Sequence, residues 1–491
     1  MAEESLKDKA ARGIIWSGIS NGSMQVLNAV FGIVVSRILT QDDFGLVGML
    51  TIFSTIASAV QESGFVSALT NRRNATYDDY NSVFWFNVIS AGIMYVILLF
   101  SAPLIAMYYH EPRLISLSRY AFIGFFIASF STTPRAILFK NIRAKEQTFI
   151  SILALVSSGL VGLTMALCGM SYWGIATQSI VFVTVGTIAT WHFSRWRPSL
   201  RFTFKPVREM FGFSSKMLVT NIFNCVNNNV FTLVLGNSYK PSEVGSYTQA
   251  NKWNTMGSQF ITGIVQGVAQ PTFVQVGRDP QRLRQTFRKM LRFTSFISFP
   301  LMFLLLTVAP EFITFLLTDK WLSSARYLQA LCVSGAFLPI TALYYNFIIS
   351  RGKSNIYMGN IIVQGCVQLL MLFSIMRFHL EFLGMTGIRL MITFYVSLNV
   401  LWLFIWHYFL WREIRLPLFS ALKDVLPFML IAIVSSSAAY FATTGIEDEL
   451  GLIISRAVIS FSIYVGLLWI THANILRESL TYLFKRKKHK K

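Results

Sequence analysis

Several stretches of this sequence place amide side chains at helical spacing inside otherwise apolar runs. Asn21, Gln25 and Asn28 follow one another at steps of four and three residues, which puts them on one face of a helix. Buried amides in a bilayer usually face a water-filled cavity, which is the prediction here, and the alternative is that they join neighbouring helices by hydrogen bonds. The same pattern recurs further along the chain. The candidate binding residues are Asn21, Gln25, Asn28, Asn221, Asn224, Asn228, Lys252, Gln259 and Gln266.

Two ionisable residues lie within these runs. Lys252 is an ammonium group well inside its run, which is costly in a membrane unless the group is solvated or paired. It predicts an anion-binding group, and the alternative is a side chain that reaches the membrane surface. Glu62 is a candidate coupling residue, and the alternative is a carboxylate at the interface. We identify no catalytic residue, no metal ligand set and no cofactor motif.

The elements that carry these residues are membrane-spanning helices. Of the 491 residues, 54% are hydrophobic and 13% are charged, against about 25% charged in a soluble protein. Apolar runs of about 20 residues, enough to cross a bilayer, repeat along the whole chain. We predict fourteen spans, among them 44–70, 114–134 and 211–236. The gaps between runs are too short for a soluble domain, which excludes a fused ATPase module.

Charge then orients the predicted spans. Most of the 43 lysines and arginines fall in alternate loops, as the positive-inside rule requires if both termini are cytoplasmic. Nine are assigned to the outer side, among them Arg456. The net charge of +21 is therefore a signal of topology. Because the charges are spread over short loops, we expect no nucleic-acid partner.

A weak internal repeat appears when the chain is shifted by 200 residues. The shift predicts a parallel repeat of six helices, a transporter architecture in which the site lies where the two halves face each other. The predicted parts are an N-terminal lobe (1–204), a C-terminal lobe (205–416), and two additional helices with a basic cytoplasmic tail (417–491). The shift aligns Asn21 with Asn221, Asn28 with Asn228, and Gly45 with Gly245.

Four segments together resemble one family. They are residues 11–16 (ARGIIW), 37–45 (RILTQDDFG), 134–140 (PRAILFK) and 244–252 (VGSYTQANK). In order and spacing they are similar to segments of the Wzx-type polysaccharide flippases. These belong to the multidrug, oligosaccharidyl-lipid and polysaccharide exporter superfamily.

The resemblance implies an all-α integral membrane protein with two six-helix lobes in a V shape, and helices 1, 2, 7 and 8 lining a cavity. It implies the movement of undecaprenyl-diphosphate-linked oligosaccharide repeat units across the bacterial inner membrane for surface polysaccharide biosynthesis. Related lipid II flippases carry a cation in helix 8, which Lys252 matches with Lys in place of Arg. The segment at Glu62 is similar to their Glu-Gly segment in helix 2. This chain lacks their helix 1 arginines and has Asn21, Gln25 and Asn28 instead.

Three functions compete at this point. A flippase by alternating access, which is no enzyme, accounts for the amides and for Lys252. A drug/cation antiporter of the same superfamily would need a stronger carboxylate cluster within one lobe. A membrane glycosyltransferase using a polyprenyl donor would find an acidic pair in Asp42 and Asp43. The expected partners are a lipid-linked oligosaccharide, membrane lipids, and the polymerase and co-polymerase proteins of polysaccharide synthesis.

Overall fold

The computed structural model describes residues 6–62, 69, 75–141, 143–200, 202–277, 279–378, 381 and 387–471. Within these ranges every regular element is helical, and one short 3-10 turn (Asp319–Trp321) precedes α11. The helices are α1 (Leu6–Ile38), α2 (Gln41–Glu62), α3 (Tyr77–Tyr109), α4 (Leu114–Ser129), α5 (Thr132–Lys140), α6 (Ala144–Leu167), α7 (Ser171–Ser194), α8 (Phe204–Ser238), α9 (Pro241–Val276), α10 (Pro280–Leu317), α11 (Leu322–Ser350), α12 (Ser354–Phe378), α13 (Gly387–Ile414), α14 (Leu418–Ala442) and α15 (Glu449–Ile470).

The helices are those of a multi-pass membrane protein. Nine in the described part of the chain are long and apolar enough to cross a bilayer, and α4 with α5, bent by 45°, forms a tenth candidate. The remaining helices, α1, α2, α8 and α9, are less apolar but 33, 22, 35 and 36 residues long. Three of them, α1, α8 and α9, carry the candidate binding residues, and α2 carries the candidate coupling residue Glu62. The all-α membrane class is confirmed, whereas the count of fourteen spans stays a prediction.

Side-chain caps fix where several helices begin. Thr76 and Asp79 form a capping box at the start of α3, each side chain bonding to the other's backbone N–H. At α10, Asp279 accepts from the backbone of the first turn, and Pro280 occupies a position where no N–H is needed.

The first packing unit is residues 1–248. In it α6 packs against α7 and α1, α3 packs against α4, and α8 packs against α2. The unit ends inside α9, whereas the repeat places a lobe boundary before α8. The predicted lobes, 1–204 and 205–416, stay a prediction.

The second unit is residues 249–491, and α10 lies at its centre. This helix packs against α11, α14 and α15. Pro310 has no N–H, so the carbonyl of Leu306 loses its helical partner. Gln329 of α11 supplies one instead, with its Nε2 atom 3.4 Å from that carbonyl oxygen. The carbonyl that Pro310 leaves without a helical partner is thus bonded from a neighbouring helix, as membrane-embedded backbone requires.

A buried arginine joins the last two helices to α10. Arg456 of α15 is 2% exposed, and its guanidinium donates to the Thr307 carbonyl at 2.6 Å and to Glu311 at 3.2 Å. It also donates to Thr443 at 3.0 Å and lies 4.8 Å from the centre of the Tyr440 ring. One side chain therefore contacts α10, α14 and α15 together.

A second ion pair holds α14 at the other end of α10. Asp424 is 4% exposed and accepts from Arg288 at 2.5 Å and 3.0 Å. Between the two ion pairs, the Tyr464 hydroxyl donates to the Phe296 carbonyl at 3.0 Å. The α14–α15 hairpin is therefore fixed to α10 at three levels.

We expect Arg456→Met to lower the free energy of unfolding by about 3–5 kcal/mol, because Glu311 is left as an unpaired charge. Thermal unfolding of the purified protein in detergent measures the loss. Arg389→Met, which removes an exposed arginine in the first turn of α13, should leave the melting temperature unchanged. Equal melting temperatures for the Arg456 variant and the wild type would contradict the role of this ion pair.

Candidate functional site

The helix α1 exposes two sides of opposite chemistry. Asn21, Gln25 and Asn28 are all exposed and lie within about 60° of one another around the helix. On the opposite side Val26 and Val30 are exposed. Apolar side chains can face lipid at no cost, whereas an unpaired amide face cannot. The amide side of α1 is therefore suited to water and a polar ligand.

The packed side of α1 lies between those two sides. The ring of Phe31 lies against Gly159 of α6, so close that a Cβ added there would be 2.5 Å from the ring. This contact fixes the rotation of α1 about its axis, and with it the direction of the amides. Side chains of residues 6–15 and 17–20 lie outside the described part.

Asparagines on α8 divide into a paired and an unpaired set. Asn221 and Asn224 are half-buried and Asn228 is exposed, and no hydrogen bond joins them to another described residue. Asn229 differs, because its Nδ2 atom donates to the Cys225 carbonyl at 2.8 Å and lies 3.5 Å from the Thr55 hydroxyl of α2. Asn229 thus stabilises helix packing, and the other three are available to a ligand.

The helix α9 presents a polar stripe with an open middle. Gln259 and Gln266 are exposed, and Gln266 donates from Nε2 to the Tyr345 hydroxyl of α11 at 2.5 Å. Between and beside them, a Cβ added at Gly263 or Gly267 would meet no described atom within 4 Å. The stripe is therefore accessible to water or a ligand along about two turns of α9.

Lys252 is the first residue of this stripe, seven residues before Gln259. Its side chain is half-buried, and in the described residues no carboxylate lies within ion-pairing distance of it. The neighbouring Trp253 is buried and packs edge-on against Phe312 of α10, 5.2 Å between ring centres. The packing of Trp253 fixes the direction of this turn of α9.

The predicted coupling residue, Glu62, is the last residue of α2. Its side chain lies outside the described residues, so its role stays a prediction.

The acidic pair at the start of α2 has a structural role. Asp43 is 6% exposed and accepts from the backbone N–H of Thr40 at 2.9 Å and from its hydroxyl at 2.7 Å. It also accepts from the Ser171 hydroxyl, while Asp42 lies 3.7 Å from Arg113. Asp43 thus completes a helix cap, and Asp42 forms an ion pair, so neither is arranged as a catalytic carboxylate.

The two glycines aligned by the 200-residue shift lie against each other's helices. A Cβ added to Gly45 of α2 would be 1.8 Å from the Pro241 carbonyl oxygen, and one added to Gly245 of α9 would be 1.9 Å from that of Gln41. The shift also aligns Gln41 with Pro241, so the contact is reciprocal. A side chain larger than hydrogen cannot fit at either position unless the helices move apart.

Sequence reasoning missed Arg456. It assigned this arginine to an outer loop, but the residue lies seven positions after the first residue of α15 and is buried. A single charge in an otherwise apolar run was the available signal.

Comparison with known proteins identifies the family of this chain. Residues 34–326 match the family model described as "Polysaccharide biosynthesis protein". The chain belongs to that family. It is 26% identical to the lipopolysaccharide biosynthesis protein WzxC of Escherichia coli K12 over 67% of this chain and 68% of that protein. It is 24% identical to the teichuronic acid biosynthesis protein TuaB of Bacillus subtilis 168 over 72% and 73%. The succinoglycan biosynthesis transport protein ExoT of Rhizobium meliloti 1021 is 23% identical over 70% and 69%.

Solved structures show the fold of this family member. The lipid II flippase MurJ in an inward closed conformation matches with a TM-score of 0.74 at 13% identity, over 94% of this chain and all of that one. An inward-facing multidrug transporter of the MATE family matches with a TM-score of 0.59 at 15% identity, over 86% and 96%. The resemblance to polysaccharide flippases of this superfamily is confirmed. ExoT is named a transport protein, and the two solved structures are a flippase and a transporter, so the expectation that the protein is no enzyme is also confirmed.

In this family member we expect Gly45→Val to abolish function, because the added methyl groups must separate the first turns of α2 and α9. The measurement is surface polysaccharide made by cells that lack the chromosomal gene and carry the variant. Gly22→Ala, at an open position on α1, is the matched control and should behave as wild type. Full function of the Gly45 variant at wild-type protein level would contradict the importance of this contact.

Proposed function

We propose that the protein is a flippase that moves undecaprenyl-diphosphate-linked oligosaccharide repeat units from the cytoplasmic to the outer leaflet of the bacterial inner membrane. It acts by alternating access and supplies surface polysaccharide biosynthesis. The observation that carries the proposal is a set of amides on three helices, together with Lys252. Among the described residues, no hydrogen-bond partner is found for Asn21, Gln25, Asn28, Asn221, Asn224, Asn228 and Gln259. Both termini are cytoplasmic in this proposal, and the polymerase and co-polymerase proteins receive the product.

The amides account for the sugar part of the substrate. Each sugar hydroxyl both donates and accepts, and each Asn or Gln side chain offers both functions in return. Asn21, Gln25 and Asn28 give α1 three such groups on one side, at intervals of about 4.5–6 Å along the axis. That spacing is comparable to the length of one sugar ring, so successive amides can bind successive parts of an oligosaccharide.

Lys252 provides a positive charge that can bind the diphosphate of the substrate. An ammonium group in a membrane helix costs a few kcal/mol unless it is solvated or paired, and no described carboxylate pairs with it. A diphosphate supplies the missing negative charge. Binding in one conformation and release in the other follow if the two conformations differ in how much water reaches Lys252.

The antiporter alternative is weakened by how the described carboxylates of the membrane helices are used. Glu311 is paired with Arg456, and Asp424 with Arg288. A cation antiporter needs a carboxylate that can exchange partners during the cycle, and an arginine held in the same ion pair competes with every other cation. The MATE transporters share the fold, which does not by itself carry their substrates to this chain.

Variants of Lys252 test the proposal in proteoliposomes that contain a labelled polyprenyl-diphosphate oligosaccharide. We expect Lys252→Ala to lower the rate of transfer between leaflets by at least about tenfold, corresponding to the loss of one charge-assisted contact. Lys252→Arg should retain part of the rate, because the charge is kept. The control is Lys240→Ala, which removes an exposed lysine between α8 and α9 and should keep the wild-type rate.

The substrate should leave the assay chemically unchanged. A wild-type rate for Lys252→Ala would contradict the role of this cation. Loss of the sugar from its lipid, or a new glycosidic product, would contradict the flippase itself and favour the transferase.

A further inference from the structure

The segment between α7 and α8 forms a surface of alternating apolar and basic residues. We name it the connector surface and define it as Arg195, Leu200, Phe202, Phe204, Lys205 and Arg208. Residues 195–200 and 202–203 are not helical, and α8 begins at Phe204. The proposed transport function assigns no role to this surface.

The backbone of this segment is held firmly by the start of α3. The Tyr77 hydroxyl donates to the Arg197 carbonyl at 2.7 Å, and the Trp85 indole donates to the Ser199 carbonyl at 2.7 Å. The Ser199 N–H donates in turn to the buried Asn81 side chain at 2.9 Å. The segment is therefore a built surface on α3 rather than a loose linker.

This anchoring turns large apolar side chains outward. Leu200 is 91% exposed, Phe204 is 58% exposed and Phe202 is 45% exposed. By contrast Val207, on the inner side of the first turn of α8, is fully buried. Exposed apolar side chains of this size, next to basic ones at the end of a membrane helix, are suited to the acyl boundary of the bilayer.

Basic side chains alternate with the apolar ones. Arg195, Lys205 and Arg208 are exposed, and Glu209 is the one acidic residue in the sequence from 195 to 211. The Arg197 guanidinium is bound within the protein. It donates to the Trp191 and Trp196 carbonyls and lies 5.5 Å from the centre of the Trp191 ring. The net charge of the exposed side chains is therefore positive, in the segment where α7 ends and α8 begins.

We propose that the connector surface binds the anionic phosphodiester lipids of the cytoplasmic leaflet. Apolar side chains that enter the acyl boundary and basic ones that contact headgroup phosphates are the two signals that together give stable membrane attachment. Trp191, Trp196 and Tyr77 surround the segment, as aromatic residues do at the membrane interface. A soluble partner is disfavoured because the ends of α7 and α8 hold the segment at the membrane surface.

The test uses the full-length protein in nanodiscs with a fluorophore at Leu200→Cys and the native cysteines replaced. Quenching by spin-labelled phosphatidylglycerol is compared with quenching by spin-labelled phosphatidylcholine. We expect phosphatidylglycerol to quench about fivefold more strongly at equal mole fraction, and aqueous iodide to quench weakly. Equal quenching by the two lipids would overturn the specificity for anionic lipid, and strong iodide quenching would overturn membrane contact.

A matched pair of triple variants separates local from general charge effects. Arg195→Gln/Lys205→Gln/Arg208→Gln should bring the two lipids to equal quenching. Arg282→Gln/Arg412→Gln/Lys423→Gln removes the same charge from exposed cations elsewhere and should keep the difference. Loss of the difference in both triple variants would overturn a local site. If the first triple variant fails to fold, the comparison of lipids in the parent protein decides the proposal.

Discussion

A bilayer offers no water to a polar group, so each one in a membrane helix must find a partner in the protein or face a water-filled space. The second unit shows the first solution. Gln329 takes the carbonyl released by Pro310, and Arg456 binds the carbonyl and carboxylate of the adjacent turn. Asn21, Gln25 and Asn28 of α1, and Asn221, Asn224 and Asn228 of α8, have no such partner among the described residues, although they lie on helices of spanning length. That difference is the physical basis for assigning them to a substrate.

The close contact between α2 and α9 fixes the first turns of these two helices against each other. Because Gly45 and Gly245 have no side chains, the first turns of both helices approach to backbone contact. The cap formed by Thr40 and Asp43 fixes where α2 begins beside this contact. Residues on α9 beyond the contact, from Lys252 onward, then follow the axis of the helix. A single pair of glycines therefore sets the starting points of two of the four polar helices.

The polar face of α1 could be predicted from the spacing of residues in the sequence. Steps of three and four residues place Asn21, Gln25 and Asn28 on one face, and the structure exposes that face. Other features needed tertiary information. The bend between α4 and α5 falls inside the predicted span 114–134, at Ser131, where neither Gly124 nor Pro134 lies at the break itself. The predicted span 211–236 is part of a longer helix, Phe204–Ser238, because helical residues continue past the apolar run. Arg456 was misplaced because one charge near the end of an apolar run also fits a loop.

The central claim is that the amide side of α1 faces water within the membrane while the opposite side faces lipid. The most direct measurement is the reactivity of single cysteines, in a background without the native ones, toward a membrane-impermeant thiol reagent in intact proteoliposomes. Asn28→Cys should react, and Val30→Cys, two residues away on the same helix, should not, because thiolate forms only in water. Asn228→Cys should behave like Asn28→Cys. Equal reactivity at positions 28 and 30, or inertness at both 28 and 228, would contradict the account.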